Sequence, residues 1–239
     1  MSAFNIGFVI FPDLTQLDFT GPLQVLNRLP ESKIHIVAKS LEPVPSDCGL
    51  SLVPTATFQN CPQLDLICVP GGFGVVRAMT DPETVGFVKR QAAGARYITS
   101  VCTGAFVLGA AGLLASRRAT THWAYTDLLP AVGATFEKSR VVWDGNVVTA
   151  GGVTSGIDFA LQIVAKLAGA DIAQAIQLQI EYDPAPPFDS GHPDRAPEAA
   201  RQRVSAGFAK RREAYEAAFP LISSLSADSH PASPGMPAY

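Results

Sequence analysis

Four short runs in the first half of the chain, "NIGFVIF" (5–11), "KIHIVA" (33–38), "LDLICV" (64–69) and "RYITSV" (96–101), are rich in β-branched residues and apolar on both faces. Strands of that kind are covered on both sides, as in a parallel sheet clad by helices. Helix-period patterns between them predict helices over about 21–29 and 82–93. The second opens with Asp81 as N-cap and Pro82 at the first helical position. Alternation of the two patterns predicts an α/β fold, a doubly wound, mostly parallel sheet of the flavodoxin-like kind. Further along, "RVVWDGNVVTAGG" reads as a β-hairpin turning at Asp144-Gly145. "SGIDFALQIVAKLAG" and "ADIAQAIQLQIEY" follow as amphipathic helices, the first closed by Gly169.

The pattern changes after Tyr182. "DPAPPFDSGHPDRAPE" holds too much Pro and Gly for regular structure, yet it leads into a helical stretch over about 197–218. The expected organisation is one α/β domain over 1–219 that includes this C-terminal helical arm, lying on the domain or on a second subunit. A disordered tail is expected over 220–239.

Composition narrows the class. The chain has 239 residues, 47% hydrophobic and 16% charged, with a formal net charge of -3. That balance is globular, and without a dense Lys/Arg cluster it gives no reason to expect nucleic acid. The start lacks the basic flank and cleavage site of a signal peptide, and no apolar run reaches the ~20 residues that cross a bilayer, so no membrane association and a cytoplasmic location are expected. Cys48, Cys61, Cys68 and Cys102 show no CxxC pairing and no His cluster, so free thiols are expected, with neither disulfides nor a metal site.

One of those cysteines stands out by position. In "YITSVCTGAFVLGAAGLL" (97–114) Cys102 falls where strand becomes helix, with Ser100, Thr103 and Gly104 as small neighbours. A tight strand-to-helix turn presents its side chain above the sheet edge as a nucleophile elbow, and the unpaired N–H groups of a helix start favour thiolate. An acidic, exposed, nucleophilic sulfur is expected there, while the other three cysteines read as small buried hydrophobes. Ligands of open α/β sheets bind beyond the carboxyl ends of the strands. The first strand is followed by "PDLTQLDFTGP" with Asp18, the third by "PGGFG", and the hairpin by "GGVTSG". Gly71-Gly72 can offer backbone N–H donors, and Gly151-Gly152 leaves room for a ligand. Asp18 reads equally as an acid/base group or as an N-cap of a helix beginning near Phe19.

"SVCTGAFVLGAAGLL", "RRATTHWAY", "PGGFG", "QLDFTGP", "GGVTSGIDFAL" and "IQLQIEYDPAPPFDSG" together resemble the ThiJ/PfpI superfamily, related in fold to the class I glutamine amidotransferases. Within it the chain is most similar to the isocyanide-hydrating enzymes. Superfamily peptidases and deglycases usually carry His after the cysteine and Glu at the acidic position, where this chain has Thr103 and Asp18. The regulators add a DNA-binding module of about 100 residues, for which the chain has no room.

The resemblance implies Cys102 as nucleophile, Asp18 as general acid/base and Thr103 as a local polar contributor. Gly72, Gly151 and Val153 become the substrate-facing or oxyanion-type positions. It implies a small-molecule isocyanide substrate, no cofactor and a homodimer. An isocyanide carbon accepts a nucleophile while its nitrogen needs a proton, so the expected course is thiolate addition, a thioimidate, and hydrolysis to an N-substituted formamide. His122 is expected to be a hydrogen-bonded structural residue beside Trp123. A cysteine-dependent glyoxalase or deglycase, and a redox sensor without turnover, remain the alternatives.

Overall fold

The computed structural model describes residues 3–227. Eleven strands are β1 (Phe4–Val9), β2 (Ser32–Ala38), β3 (Val44–Pro45), β4 (Ser51–Leu52), β5 (Ala56–Thr57), β6 (Leu66–Val69), β7 (Tyr97–Val101), β8 (Arg118–Ala119), β9 (Thr135–Phe136), β10 (Val141–Asp144) and β11 (Val147–Ala150). The helices are α1 (Gln16–Leu26), α2 (Val75–Thr80), α3 (Pro82–Ala92), α4 (Ala105–Ala110), α5 (Ser155–Ala168), α6 (Ala170–Gln179) and α7 (Glu198–Ala227).

Seven strands form one sheet in the order β10-β11-β7-β6-β1-β2-β5. Every pairing in it is parallel except β10 with β11. All four residues of β6 and of β11 are buried, which is why these strands read as continuous apolar runs. Helices α1, α5 and α6 pack together, and α2, α3 and α4 form a second group to which α7 is added. Phe8, Phe87, Phe106 and Phe159 are among the largest fully buried side chains of the core. The doubly wound, mostly parallel architecture expected from the sequence is therefore present, hairpin and C-terminal helix included.

Three boundaries differ from the sequence pattern, each for a local reason. Helix α1 begins at Gln16, so Gly21-Pro22 lies inside it rather than at its start. Pro22 withholds one N–H but fits within the helix, and Asp18 is placed in the first turn instead of ahead of it. The hairpin turns at Gly145-Asn146, since Asp144 pairs with Val147, and Gly145 adopts the positive φ of 63°. Helix α7 runs to Ala227 although Pro220 lies within it. It crosses the expected start of the tail, where Ile222 is still buried; residues 228–239 of that tail lie outside the described residues.

Candidate active site

The loops at the carboxyl ends of β1, β6, β7 and β11 meet at one point. The loop after β1 is stitched to the loop after β6 by Thr15 N–H to the Gly71 carbonyl (3.0 Å) and Gly74 N–H to the Asp13 carbonyl (3.1 Å). Gly72 sits in that seam with φ 126°, and an added Cβ would stand 2.3 Å from Thr15 N, so the close approach requires glycine. The seam brings Asp18, in the first turn of α1, under the end of β6. There Asp18 Oδ2 accepts the Gly71 N–H at 2.9 Å. Asp18 does not cap α1; the hydroxyl of the cap residue Thr15 instead donates to Asp47 at 2.7 Å.

Cys102 follows β7 with φ 56°, the strained left-handed geometry of an elbow, and opens a 3₁₀ turn over Cys102–Gly104. Its backbone is held on both sides: Cys102 N–H donates to the Gly151 carbonyl (2.8 Å), and the Thr121 hydroxyl donates to the Cys102 carbonyl (2.8 Å). The sulfur is within hydrogen-bonding reach of the Thr103 and Val153 N–H groups and of the Asp18 carboxyl. Asp18 Oδ1 is buried and makes no hydrogen bond, while the carboxyl as a whole lies close enough to the Cys102 thiol for each to shift the other's ionisation.

Charge at this pair differs from the sequence expectation. Cys102 is only 6% exposed, and burial together with the nearby Asp18 pushes its thiol well above the ordinary range. The two N–H donors act in the opposite direction and do not prevail. An exposed, acidic sulfur is thus corrected to a buried one whose ionisation depends on its neighbour. Asp18, at 0% exposure, is itself raised to about 7, chiefly by burial, with Gly71 N–H and the thiol pulling it down. Two buried acids in contact share their protons, and a protonated Asp18 removes the like charge that opposes thiolate.

A cavity of about 480 Å³ opens above the sulfur, its wall including Gly72, Thr103, Val153, Phe73, Val76 and Tyr125. Helix α7 closes one side with Phe208, Arg211, Ala214 and Tyr215. Arg211 stacks 3.5 Å from the centre of the Phe73 ring. Asp18 is not on the wall; it lies beneath the sulfur.

The structure brings together Cys102, Asp18, Thr103, Gly72 and Val153, but Gly72 and Gly151 are used differently from the expectation. The Gly72 N–H donates to Thr103 Oγ1 at 3.1 Å and so is not a free oxyanion donor. Gly151 holds the elbow through its carbonyl and lines a second, polar cavity of about 460 Å³ on the far side of the 151–153 turn, not the one above Cys102. His122 lines the catalytic-side cavity without bonding to Cys102. Its Nδ1 accepts the Ala124 N–H (3.3 Å), its ring lies 5.6 Å from that of Trp123, and burial lowers its pKa to about 4. Sequence reasoning missed the α7 wall. Its signal was legible as a stripe: Phe208, Arg211, Tyr215, Phe219 and Ile222 recur at helical spacing on one face. Among the described residues no group of three His, Cys, Asp or Glu could hold a metal ion. No described helix is long and apolar enough to cross a membrane.

A doubly wound sheet with a cysteine elbow over a buried acid defines a protein class, and residues 5–166 match the DJ-1/PfpI family, to which the chain belongs. More narrowly, it is 58% identical over 220 residues to the isonitrile hydratase of Pseudomonas putida, covering 90% of this chain and 96% of that enzyme. The solved structure of a ThiJ/PfpI family protein from Pseudomonas syringae is similar with a TM-score of 0.86 and 42% identity, covering 95% of this chain and 91% of the other. The HTH-type transcriptional regulator GbdR of Pseudomonas aeruginosa is 29% identical over 189 residues, covering 75% of this chain but 51% of the regulator.

Proposed function

We propose that this protein hydrates isocyanides, R–N≡C, to N-substituted formamides, with Cys102 as nucleophile and Asp18 as the acid/base group paired to it. The observation that carries this reading is Cys102 on the wall of a largely apolar cavity with the fully buried Asp18 beside it, in a chain 58% identical to an isonitrile hydratase. Atom balance refines the course expected from sequence. A formamide bears hydrogen on its carbonyl carbon, so the first proton goes to the isocyanide carbon rather than to nitrogen. Thiolate and proton both add at that carbon, giving the thioimidate R–N=CH–S–Cys102. The proton comes from the Asp18–Cys102 pair, whose protonated carboxyl beside thiolate is the reactive arrangement.

Water then adds across the C=N bond, oxygen to carbon and hydrogen to nitrogen. Collapse breaks the C–S bond, returns its electron pair to sulfur, and hands the hydroxyl proton back to the pair. Thr103 and Val153 N–H groups stabilise the sulfur when it carries charge. All groups used in this sequence are side chains and amides of the chain itself, with water as co-substrate. A homodimer and a cytoplasmic location belong to the same reading; they are supported by the family resemblance and by four free cysteines.

The test is turnover of an aromatic isocyanide such as para-nitrophenyl isocyanide. Wild type should release the formamide, and Cys102→Ala should abolish that release while keeping the fold by circular dichroism. Full activity in Cys102→Ala removes the nucleophile. Wild-type turnover of methylglyoxal without isocyanide turnover moves the protein to the glyoxalase reading.

A further inference from the structure

The proposed reaction needs protons at two different atoms, and the site supplies them from two different sides. Carbon is bonded to the sulfur, directly above the Asp18–Cys102 pair. Nitrogen lies one bond further out, in the cavity, where Asp18 has no surface. A thioimidate accepts water readily only when its nitrogen is hydrogen-bonded or protonated, so a donor on the cavity wall close to the sulfur is required.

Helix α7 presents such a group. Tyr215 is 3% exposed, lines the cavity, and is packed between Phe106 and Tyr125 with ring centroids 5.0 Å from each. It lines the cavity together with Thr103, the residue adjoining the nucleophile, whose side chain is near enough to influence ionisation of the phenol. The Thr103 hydroxyl oxygen already receives the Gly72 N–H, so Thr103 is held in place beside the nucleophile and Tyr215 remains on the cavity wall facing it. Burial keeps the phenol protonated across the working range, and it is therefore a donor. The other nearby donors are less well placed. His122 is anchored by Ala124, and Tyr125 packs its ring against His122, Phe208 and Tyr215.

We propose that Tyr215 is a further catalytic residue, whose hydroxyl donates a hydrogen bond to the substrate nitrogen and polarises the C=N bond for attack by water. This rests on the isocyanide reading above and adds a residue that lies outside the family-matched segment 5–166.

The experiment compares wild type, Tyr215→Phe and Tyr125→Phe in steady-state turnover of para-nitrophenyl isocyanide, with intact mass on rapidly quenched samples. The rate at which a small thiol reagent labels Cys102 reports whether the site is intact. Tyr215→Phe retains the ring packing and should lower kcat by about 100-fold. The labelling rate should be unchanged, and protein carrying one substrate mass should accumulate because hydrolysis is slowed. A kcat within twofold of wild type overturns the proposal. So does a loss of kcat accompanied by altered labelling, which marks a merely structural role, or a loss in Tyr125→Phe that Tyr215→Phe does not share. Failure of wild type to convert the isocyanide sinks the underlying reading instead, and is distinguishable because it needs no variant.

Discussion

Transfer of Asp18 from water to its site beneath Cys102 moves its pKa from 3.8 to about 7. Over that interval the native protein retains a proton that the unfolded chain has released, so folding stability declines as pH rises through it. Asp18→Asn cannot titrate. It should therefore melt at a higher temperature than wild type at pH 8, with the advantage vanishing toward pH 4, as scanning calorimetry would show. In the proposed reaction the same substitution removes the proton destined for carbon and should lower kcat by at least about 100-fold, measured with the isocyanide assay. Stability and activity moving in opposite directions is the signature of a group held in the site against its own solvation. Gly71 is equally constrained by space: an added Cβ would lie 2.6 Å from Thr103 N and 2.8 Å from Asp18 Oδ2. Gly71→Ala should cost about 1–3 kcal/mol by chemical denaturation and should also cut turnover, because the displaced atoms belong to Asp18 and to Thr103 beside Cys102.

At the scale of elements, the sheet edge supplies Cys102, the proposed nucleophile, and α7 supplies the wall over it. Helix α7 is pinned by Arg212, which donates to the Ala124 carbonyl (2.6 Å) and through both terminal nitrogens to Asp127 (2.9 and 2.7 Å). Arg212→Ala breaks all three contacts, and the pair's partial exposure limits the stability loss to about 1 kcal/mol. Local undocking should be more evident: kcat/KM should fall, and limited proteolysis within the exposed 183–196 segment should accelerate. Strands and the capped helix α3 were legible because their signals are local, a run of β-branched residues or an Asp-Pro start. Placement of α7 over Cys102 was not, since a stripe of apolar residues says that a helix packs without saying on what. The sequence pattern places the start of α1 too late, at about 21, because Gly21-Pro22 is helix-edge chemistry, and only the packing of the whole helix against α5 overrides the proline inside it.

At the scale of the molecule, the position of Cys102 at the strand-to-helix join was readable from sequence, but its burial was not. Helix-start amides favour thiolate by proximity alone, while desolvation depends on what the rest of the chain places overhead, here Tyr215, Phe208 and Val153. The proposed homodimer is testable at this scale: sedimentation equilibrium at micromolar concentration should return twice the 25.2 kDa chain mass, and a monomer would refute it. Phe188 on the arm and Leu178 at the end of α6 are 76% and 81% exposed, apolar surface that an association could cover. Because Asp18 has no exposed surface while Cys102 lines the cavity, the sulfur is the nearest titratable group through which hydrons can pass between solvent and the acid. A rapid-mixing jump of enzyme and isocyanide into heavy water reads that route: deuterium at the formyl position from the first turnover is expected for an open thiol, and protium in the first equivalent marks a route that bound substrate has shut.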